Sequence, residues 1–402
     1  MNPFSLLIKP VSADCNLRCT YCFYIDHLKK VEKKPRMSDK VLEAVISSYM
    51  QINQNNYFNF GWQGGEPTLL GLEFWEKVII LQKKYAPKGA VISNGLQTNG
   101  TLITDSLAKF FGEYKFLLGV SLDGPPYPHD YYRKTISETP THNLVMRGID
   151  ILRRYKVEFN ILVLVNNVNV KKASEVYNYL KDNGFNYHQY IPCVEYDKFG
   201  NPQAFSINGD EWGAFLCDIF DQWKKEDINQ ISIRLFDSIL EYLVYGKYNV
   251  CYMGSNCCQY FVVEYNGNIY PCDFYVRDDL LLGNVLENKW EEILNSQIYL
   301  QFGQRKSSWN ENCKKCSYLN LCHGDCQKFR LVNQQNSHFL STLCEGWKKF
   351  YTYALPQLKI IAQNIKNGNK VISSTQIKAK KIGRNVLCPC GSGKKYKDCC
   401  LR

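Results

Sequence analysis

Apolar and polar positions follow two different periods in the first half of the chain. Short apolar runs rich in β-branched and aromatic residues occur at Phe4–Val11, Phe58–Gln63, Val91–Thr98, Phe116–Leu122, Glu158–Val165 and His188–Cys193, and each reads as a strand. Between them, Asp39–Met50, Glu73–Tyr85, Asp105–Phe111, Leu144–Tyr155 and Ala173–Asp182 carry apolar residues at helical spacing. Such alternation predicts an α/β fold with a parallel sheet covered by helices. Six units fall short of the eight of a closed barrel, so an open, partial (β/α)6 barrel is expected. Ligands of such folds bind beyond the C-terminal ends of the strands. Residues 209–247 read as helical, with Trp212, Phe215, Leu216, Ile219, Phe220 and Trp223 as packing residues.

The chemistry-bearing residues fall at those strand ends. Cys15, Cys19 and Cys22 follow the first strand at C-x3-C-x2-C spacing. Three thiolates can hold three corners of a cubane iron–sulfur cluster and leave one iron open. Zinc is the first alternative, but no fourth cysteine lies close by and His27 is the nearest histidine. A disulfide is the second, and an odd trio argues against it. After the second strand comes Gly64-Gly65-Glu66-Pro67, where paired glycines allow a close backbone approach and Glu66 supplies an anion; an ordinary turn has the same composition. Thr98-Asn99-Gly100 ends the third strand, and Ser121-Leu122-Asp123-Gly124 the fourth.

Length and composition narrow the setting. The chain of 402 residues, 45% hydrophobic, is long enough for two or three domains. No apolar run approaches the ~20 residues of a membrane span, and the N-terminus lacks the basic start and cleavage site of a signal peptide. The expectation is a cytoplasmic protein with no membrane partner, in which 18 cysteines argue for metal binding over disulfides and six histidines leave sulfur as the ligand. The net charge of +11 is concentrated at one end. Residues 366–402 hold ten Lys/Arg against Asp398 alone, and the rest carries 39 basic and 37 acidic residues. The near-neutral body gives no reason for a specific nucleic-acid partner.

A second cysteine field comprises Cys251, Cys257, Cys258, Cys272, Cys313, Cys316, Cys322, Cys326 and Cys344, with C-x2-C-x5-C-x3-C at its centre. Its density alone also suits a zinc ribbon. Residues 366–386, rich in Lys, Ser, Asn and Gln, read as a linker. Beyond them Cys388, Cys390, Cys399 and Cys400 flank Gly391-Ser392-Gly393, a set suited to one tetrahedral zinc.

The cysteine loop with Tyr21, the Gly64–Glu66 turn and the strand-end order resemble the radical S-adenosylmethionine (SAM) superfamily. The resemblance implies that SAM chelates the open iron of a cluster on Cys15, Cys19 and Cys22, with Tyr21, Gly64, Gly65, Glu66, Ser121, Arg133 and Val194 around the cofactor. The downstream field resembles the SPASM extension, which implies two auxiliary four-iron clusters. Cys251, Cys257, Cys272 and Cys326 would hold the first, and Cys313, Cys316, Cys322 and Cys344 the second; Cys258 stands open as a substitute for Cys257. Ser5–Pro10, Cys19–Tyr24, Gln63–Thr68 and Tyr270–Tyr275 are similar to the anaerobic sulfatase-maturating enzymes, over residues 3 to 365. That implies reductive SAM cleavage and oxidation of a cysteine or serine in an unfolded or nascent sulfatase to Cα-formylglycine. Asp273 would be the base, and a flavodoxin or ferredoxin the electron donor. Asp273 could equally cap loop amides. The tail resembles the SEC-C motif, which implies zinc on its four cysteines and contact with the secretion machinery.

The expected organisation is a radical SAM barrel at 1–235, a SPASM domain at 236–365, a linker at 366–386 and the zinc motif at 387–402. Two other readings stay open. One is a SPASM peptide maturase forming thioether or carbon–carbon crosslinks, for which a strand starting at residue 4 leaves no room for a leader-binding domain. The other is a non-catalytic zinc or redox module that binds proteins.

Overall fold

The structure, a computed structural model, describes residues 4–25, 27, 34–52, 56–330 and 340–369. The six expected strands form as β1 (Ser5–Lys9), β2 (Tyr57–Trp62), β3 (Val91–Thr98), β4 (Leu117–Ser121), β5 (Glu158–Val165) and β6 (Tyr187–Pro192). They lie side by side in chain order, each parallel to the next. The crossover helices Asp39–Met50, Gly71–Tyr85, Asp105–Glu113, His142–Arg154 and Ala173–Asp182 cover the sheet. Their starts are set by side chains: Ser38 Oγ accepts from Val41 N at 3.3 Å and Thr104 Oγ1 from Leu107 N at 3.3 Å, satisfying amide donors that the first helical turn leaves free. Val41, Leu42, Val45, Ile46 and Tyr49 form the buried face of the first helix, three and four residues apart as their spacing predicts.

The sheet does not stop at six strands. β7 (Ser232–Ile233) adds beside β6, and β8 (Tyr260–Glu264), β9 (Asn268–Tyr270) and β10 (Gly283–Asn284) add at the other edge. The full order is β10-β9-β8-β1-β2-β3-β4-β5-β6-β7. β8 runs parallel to β1 in a register from Ser5↔Tyr260 to Lys9↔Glu264, so the cysteine-rich half begins as an extension of the barrel sheet. These added strands are two to five residues long, too short for a period-2 pattern to stand out. Residues 209–247, expected to be helical throughout, divide into helices Gly209–Glu226 and Arg234–Tyr245 with β7 between them. The packing residues named on the first of these, Trp212 through Trp223, are buried.

The last helix, Cys344–Lys366, lies across the helix Gly209–Glu226 at very close range. A Cβ on Gly346 would fall 2.1 Å from Gly209 O, and one on Gly213 would fall 2.7 Å from Gly346 Cα. Glycine on both surfaces lets the backbones touch and seats Trp347 against Trp212, ring centroids 5.9 Å apart. Among the described residues, no helix is long and apolar enough to cross a membrane.

Gly346→Val forces these helices apart against backbone rather than flexible side chain. The expected loss is about 3 kcal/mol, the upper end for overpacking, read as a lowered Tm in an anaerobic thermal scan. A Tm within one degree of wild type would show that the crossing relaxes freely.

Candidate active site

β1 delivers the chain to the C-terminal edge of the sheet, and the loop that follows carries Cys15, Cys19 and Cys22, all partly buried. Two neighbouring loops hold it. From the loop after β2, Gly65 N donates to Ser12 O at 2.6 Å and Glu66 N to Asp14 O at 2.8 Å. A Cβ on Gly65 would fall 1.7 Å from Asp14 O, and Gly64, at φ 101°, sits 2.7 Å from Ser12 O by the same measure. The backbone that these glycines admit is the cysteine loop itself. From the other side, Arg18 N donates to Lys134 O and Thr20 N to Tyr132 O, at 2.8 and 3.3 Å, so the segment around Arg133 lies alongside the loop.

Glu66 is fully buried, and its carboxylate accepts from Thr68 N (3.1 Å), Thr68 Oγ1 (2.6 Å), Thr98 Oγ1 (2.7 Å) and Asn99 N (2.7 Å). Burial raises its pKa and these donors pull it back. Glu66 thereby locks the Gly64–Glu66 loop onto the end of β3. Asn99 in turn donates to Asn16 Oδ1 at 2.9 Å and to Cys15 Sγ at 3.7 Å, and Leu17 N donates to the same sulfur at 3.3 Å.

Asp123, also fully buried, organises the far side. Its Oδ1 accepts from Leu164 N at 3.0 Å, and its Oδ2 accepts from Arg133 Nε at 3.1 Å and from the Tyr21 hydroxyl. The Arg133 guanidinium also lies over the Tyr21 ring, 5.5 Å from its centroid. Burial opposes the Arg133 charge, yet Asp123 and Tyr21 outweigh it and raise the pKa. Ser121 and Val194 are buried at the ends of β4 and just past β6. Of the seven residues predicted around the cofactor, Tyr21 is on the cysteine loop, Gly64, Gly65 and Glu66 follow β2 against it, Arg133 binds Asp123 beside Tyr21, and Ser121 and Val194 stand at and just past the ends of β4 and β6.

The donor chemistry fits a cluster. Burial pushes the Cys15 thiol up to about 12, with Glu66 adding to it, and the Cys19 thiol up to about 11, against the pull of Arg133. Buried thiols of this kind are poor metal-free anions, while cluster ligation holds them as thiolates, with N–H donors to sulfur tuning the centre. Among the described residues, no three His, Cys, Asp or Glu side chains are drawn close enough to hold one ion.

Asp273 reaches this centre from the cysteine-rich half. It is 8% exposed, pairs with the Lys9 ammonium, and accepts from Gln63 Nε2 at 3.1 Å. Lys9, at the end of β1, also stands 3.6 Å from the centroid of the Tyr24 ring, whose hydroxyl donates to Glu264 on β8. Burial holds the Glu264 carboxyl above its usual range, against the pull of Lys9. Sequence reasoning gave no role to Lys9, Gln63, Tyr24, Asp123 or Glu264. Lys9 had a signal, a lone cation ending an otherwise apolar strand.

The cysteines of the second field lie in two neighbourhoods. The Cys326 thiol is pushed well above its usual range by burial and then by Cys251, Cys272 and Cys257, which brings the first set of four together. Tyr260 Oη lies 3.3 Å from Cys272 Sγ. Cys257 packs with Cys272, Tyr275 and Phe302, whereas the Cys258 thiol turns to Tyr299 O at 3.4 Å, which favours Cys257 as the member of the set. Cys313, Cys316, Cys322 and Cys344 line one cavity, closed by Tyr318, Trp347 and Tyr351. The tail cysteines 388–400 lie outside the described residues.

Known families match this arrangement. Residues 10–180 match the radical SAM superfamily, 251–317 an iron–sulfur cluster-binding domain and 384–402 the SEC-C motif. A cysteine-type anaerobic sulfatase-maturating enzyme of Clostridium perfringens is 40% identical over 372 residues, covering 91% of this chain and 100% of that enzyme. The chain belongs to the anaerobic sulfatase-maturating enzymes. A serine-type member of the family, from Bacteroides thetaiotaomicron, is 36% identical over 91% of this chain and 92% of its own. The solved structure of native anSMEcpe with bound AdoMet superposes with a TM-score of 0.84 at 40% identity, covering 90% of this chain and 100% of that one. The same protein with bound AdoMet and Cp18Cys peptide gives 0.85, covering 90% and 99%. As a member of this family the chain is a radical SAM enzyme.

Gly65→Ala should break the contact with Asp14 and free the first cysteine loop, while the second field stays intact. Iron analysis after anaerobic reconstitution is expected to fall by about four atoms per chain. Full retention of iron would show that the loop adjusts to a Cβ.

Proposed function

We propose that this maturase oxidises a cysteine or serine side chain of an unfolded sulfatase segment to Cα-formylglycine, with Asp273 as the base. The observation that supports this most is the position of Asp273. It is a buried carboxylate carried by the SPASM half, yet it pairs with Lys9 and Gln63 at the mouth of the first cysteine loop. The relatives' printed activity and the peptide-bound relative support a polypeptide substrate.

In this reading Cys15, Cys19 and Cys22 hold one four-iron cluster, and Tyr21, Gly64, Gly65, Glu66, Ser121, Arg133 and Val194 frame SAM. The two downstream sets hold auxiliary clusters, and Cys388, Cys390, Cys399 and Cys400 hold zinc. When bound, these groups supply radical generation and electron storage. What the chain's own residues do is position and deprotonate. The target β-carbon gives up a hydrogen atom, after which the substrate must still lose one electron and one proton from its thiol or hydroxyl. An Asp273 oxygen within hydrogen-bond reach can take that proton. Gln63 bonds one carboxylate oxygen of Asp273 and Lys9 pairs with the other, which fixes the orientation of the carboxylate. Serine then gives the aldehyde directly, and cysteine gives a thioaldehyde that water converts to the aldehyde with loss of sulfide. A flavodoxin or ferredoxin as donor, a cytoplasmic setting and a tail contact with the secretion machinery complete the proposal.

The test is anaerobic reconstitution followed by incubation with SAM and a peptide bearing Cys or Ser in a sulfatase context. About twelve irons per chain are expected from three four-iron clusters, with an aldehyde product by mass spectrometry. A thioether product, or tight zinc without iron, overturns the reading. Asp273→Asn is expected to keep SAM cleavage and lower aldehyde formation roughly 100- to 10,000-fold. Unchanged turnover would remove Asp273 from the base role.

A further inference from the structure

Two cations lie buried between the auxiliary cysteine sets, and the reaction chemistry above assigns them nothing. Lys306 is fully buried and Arg330 is 3% exposed. Lys306 Nζ donates to Tyr252 O at 3.0 Å, His323 O at 3.0 Å and Asp325 O at 2.5 Å. Three acceptors match the three protons of an ammonium, against burial and the neighbouring Arg330, which lower the Lys306 pKa, while Asp325, Cys257 and Cys326 raise it. Arg330 donates to Gly324 O at 2.6 Å, Lys306 O at 2.8 Å, His323 O at 2.5 Å and Asp325 O at 3.1 Å. Every one of these acceptors is a main-chain carbonyl.

Those carbonyls belong mainly to the turn between Cys322 and Cys326, which joins a ligand of one proposed cluster to a ligand of the other. His323, Gly324 and Asp325 stand at φ 45°, 73° and 64°, a left-handed run that aims successive carbonyls at the two cations. Two of the three are not glycine, so the conformation is held by what it binds. The nearby anion, Asp325, is directed elsewhere: its carboxylate accepts from Ser341 Oγ at 2.6 Å, Trp347 Nε1 at 2.9 Å and Cys326 N at 2.7 Å. The cysteines feel the cations from both sides. Burial raises the thiols of Cys251, Cys322 and Cys313, and a cation works against it at each, Lys306 at Cys251 and Cys322 and Arg330 at Cys313. Burying two cations without facing carboxylates is costly unless another negative charge offsets them. Four thiolates around a four-iron core provide such a charge in each set.

We propose that Lys306 and Arg330 act as shared counter-cations for both auxiliary clusters, holding their reduction potentials up so that they accept the substrate's second electron. They are positioning residues, acting through the clusters and the turn. The inference rests on the cluster assignment proposed above. A positive charge close to a cluster favours its reduced, more negative state, so removing the charge lowers the potential and removing Asp325 raises it.

The experiment uses the full chain in a Cys15→Ala, Cys19→Ala, Cys22→Ala background, which leaves the auxiliary clusters alone to titrate. Midpoint potentials are read by EPR-monitored redox titration with iron content measured alongside. Lys306→Met is expected to lower both potentials and Asp325→Asn to raise both. Should Lys306→Met fail to take up iron, Asp325→Asn, which keeps both cations and its own shape, carries the test. Clusters present with potentials unmoved, or moved in the same direction by both variants, overturn the inference while leaving the cluster assignment standing. A background protein without auxiliary iron overturns both.

Discussion

The parallel pairing of β1 with β8 is the constraint on which the rest depends. β1 is hydrogen-bonded on both edges, to β2 on one side and to β8 on the other. The loop leaving it, with the three cysteines, therefore emerges in the middle of the sheet's C-terminal edge rather than at its end. The same pairing sets Glu264 opposite Lys9, and the return strand β9 leads straight into Cys272 and Asp273. One ladder of backbone hydrogen bonds thus sets Asp273 against Lys9, at the end of the strand from which the cysteine loop departs. A hinge or linker between the two halves would leave that distance free, whereas a continuous sheet holds it.

Around this ladder the acidic residues of the motifs act mainly on protein. Glu66 receives four donors, two of them from the end of β3, and Asp123 binds Tyr21, Arg133 and the backbone of β5. Each carboxylate joins two loops that approach the cysteines from different strands. Such cross-ties fix rotamers before any cofactor arrives, which is the condition for a site to be preorganised rather than assembled on binding. Gly64 and Gly65 fit the same account, since their missing side chains make room for Ser12 and Asp14. A conformationally permissive dipeptide is needed because a backbone, not a ligand alone, passes there.

Much of the barrel was legible because its strands are five to eight residues long and its helices nine to fifteen. Over those lengths the two hydrophobic periods separate cleanly. β7, β9 and β10 were not legible, since two or three residues give no period, and β8, as long as β1 and β4 but outside the strand–helix alternation, is recognisable only by its partner β1. The same limit applied to the site. Cys15, Cys19 and Cys22 announce themselves by spacing, whereas the second cysteine field is dense without its spacing saying which thiols belong together. Gln63 and Glu264 sit in unremarkable contexts, and they and Lys9 become part of the site only when residues more than 200 positions apart are brought together. Sequence patterns report local geometry; long-range pairing is where they fall silent.

Charge shows the same division between count and place. Outside the tail the chain is nearly neutral, which says little about function. Its buried cations nevertheless sit beside thiols: Arg133 by Cys19, Lys9 and Arg133 by Cys22, Lys306 by Cys251 and Cys322, and Arg330 by Cys313. Thiols withdrawn from water resist ionisation, as the raised values at Cys15 and Cys19 show, yet a cluster needs them as thiolates. A fixed cation nearby lowers that cost locally without exposing the cluster to solvent. Among the described residues, a cation thus stands beside buried sulfur at each of three cysteine groupings. At the first, Lys9 also bonds Asp273, so the charge that favours a thiolate on one side steadies the carboxylate on the other.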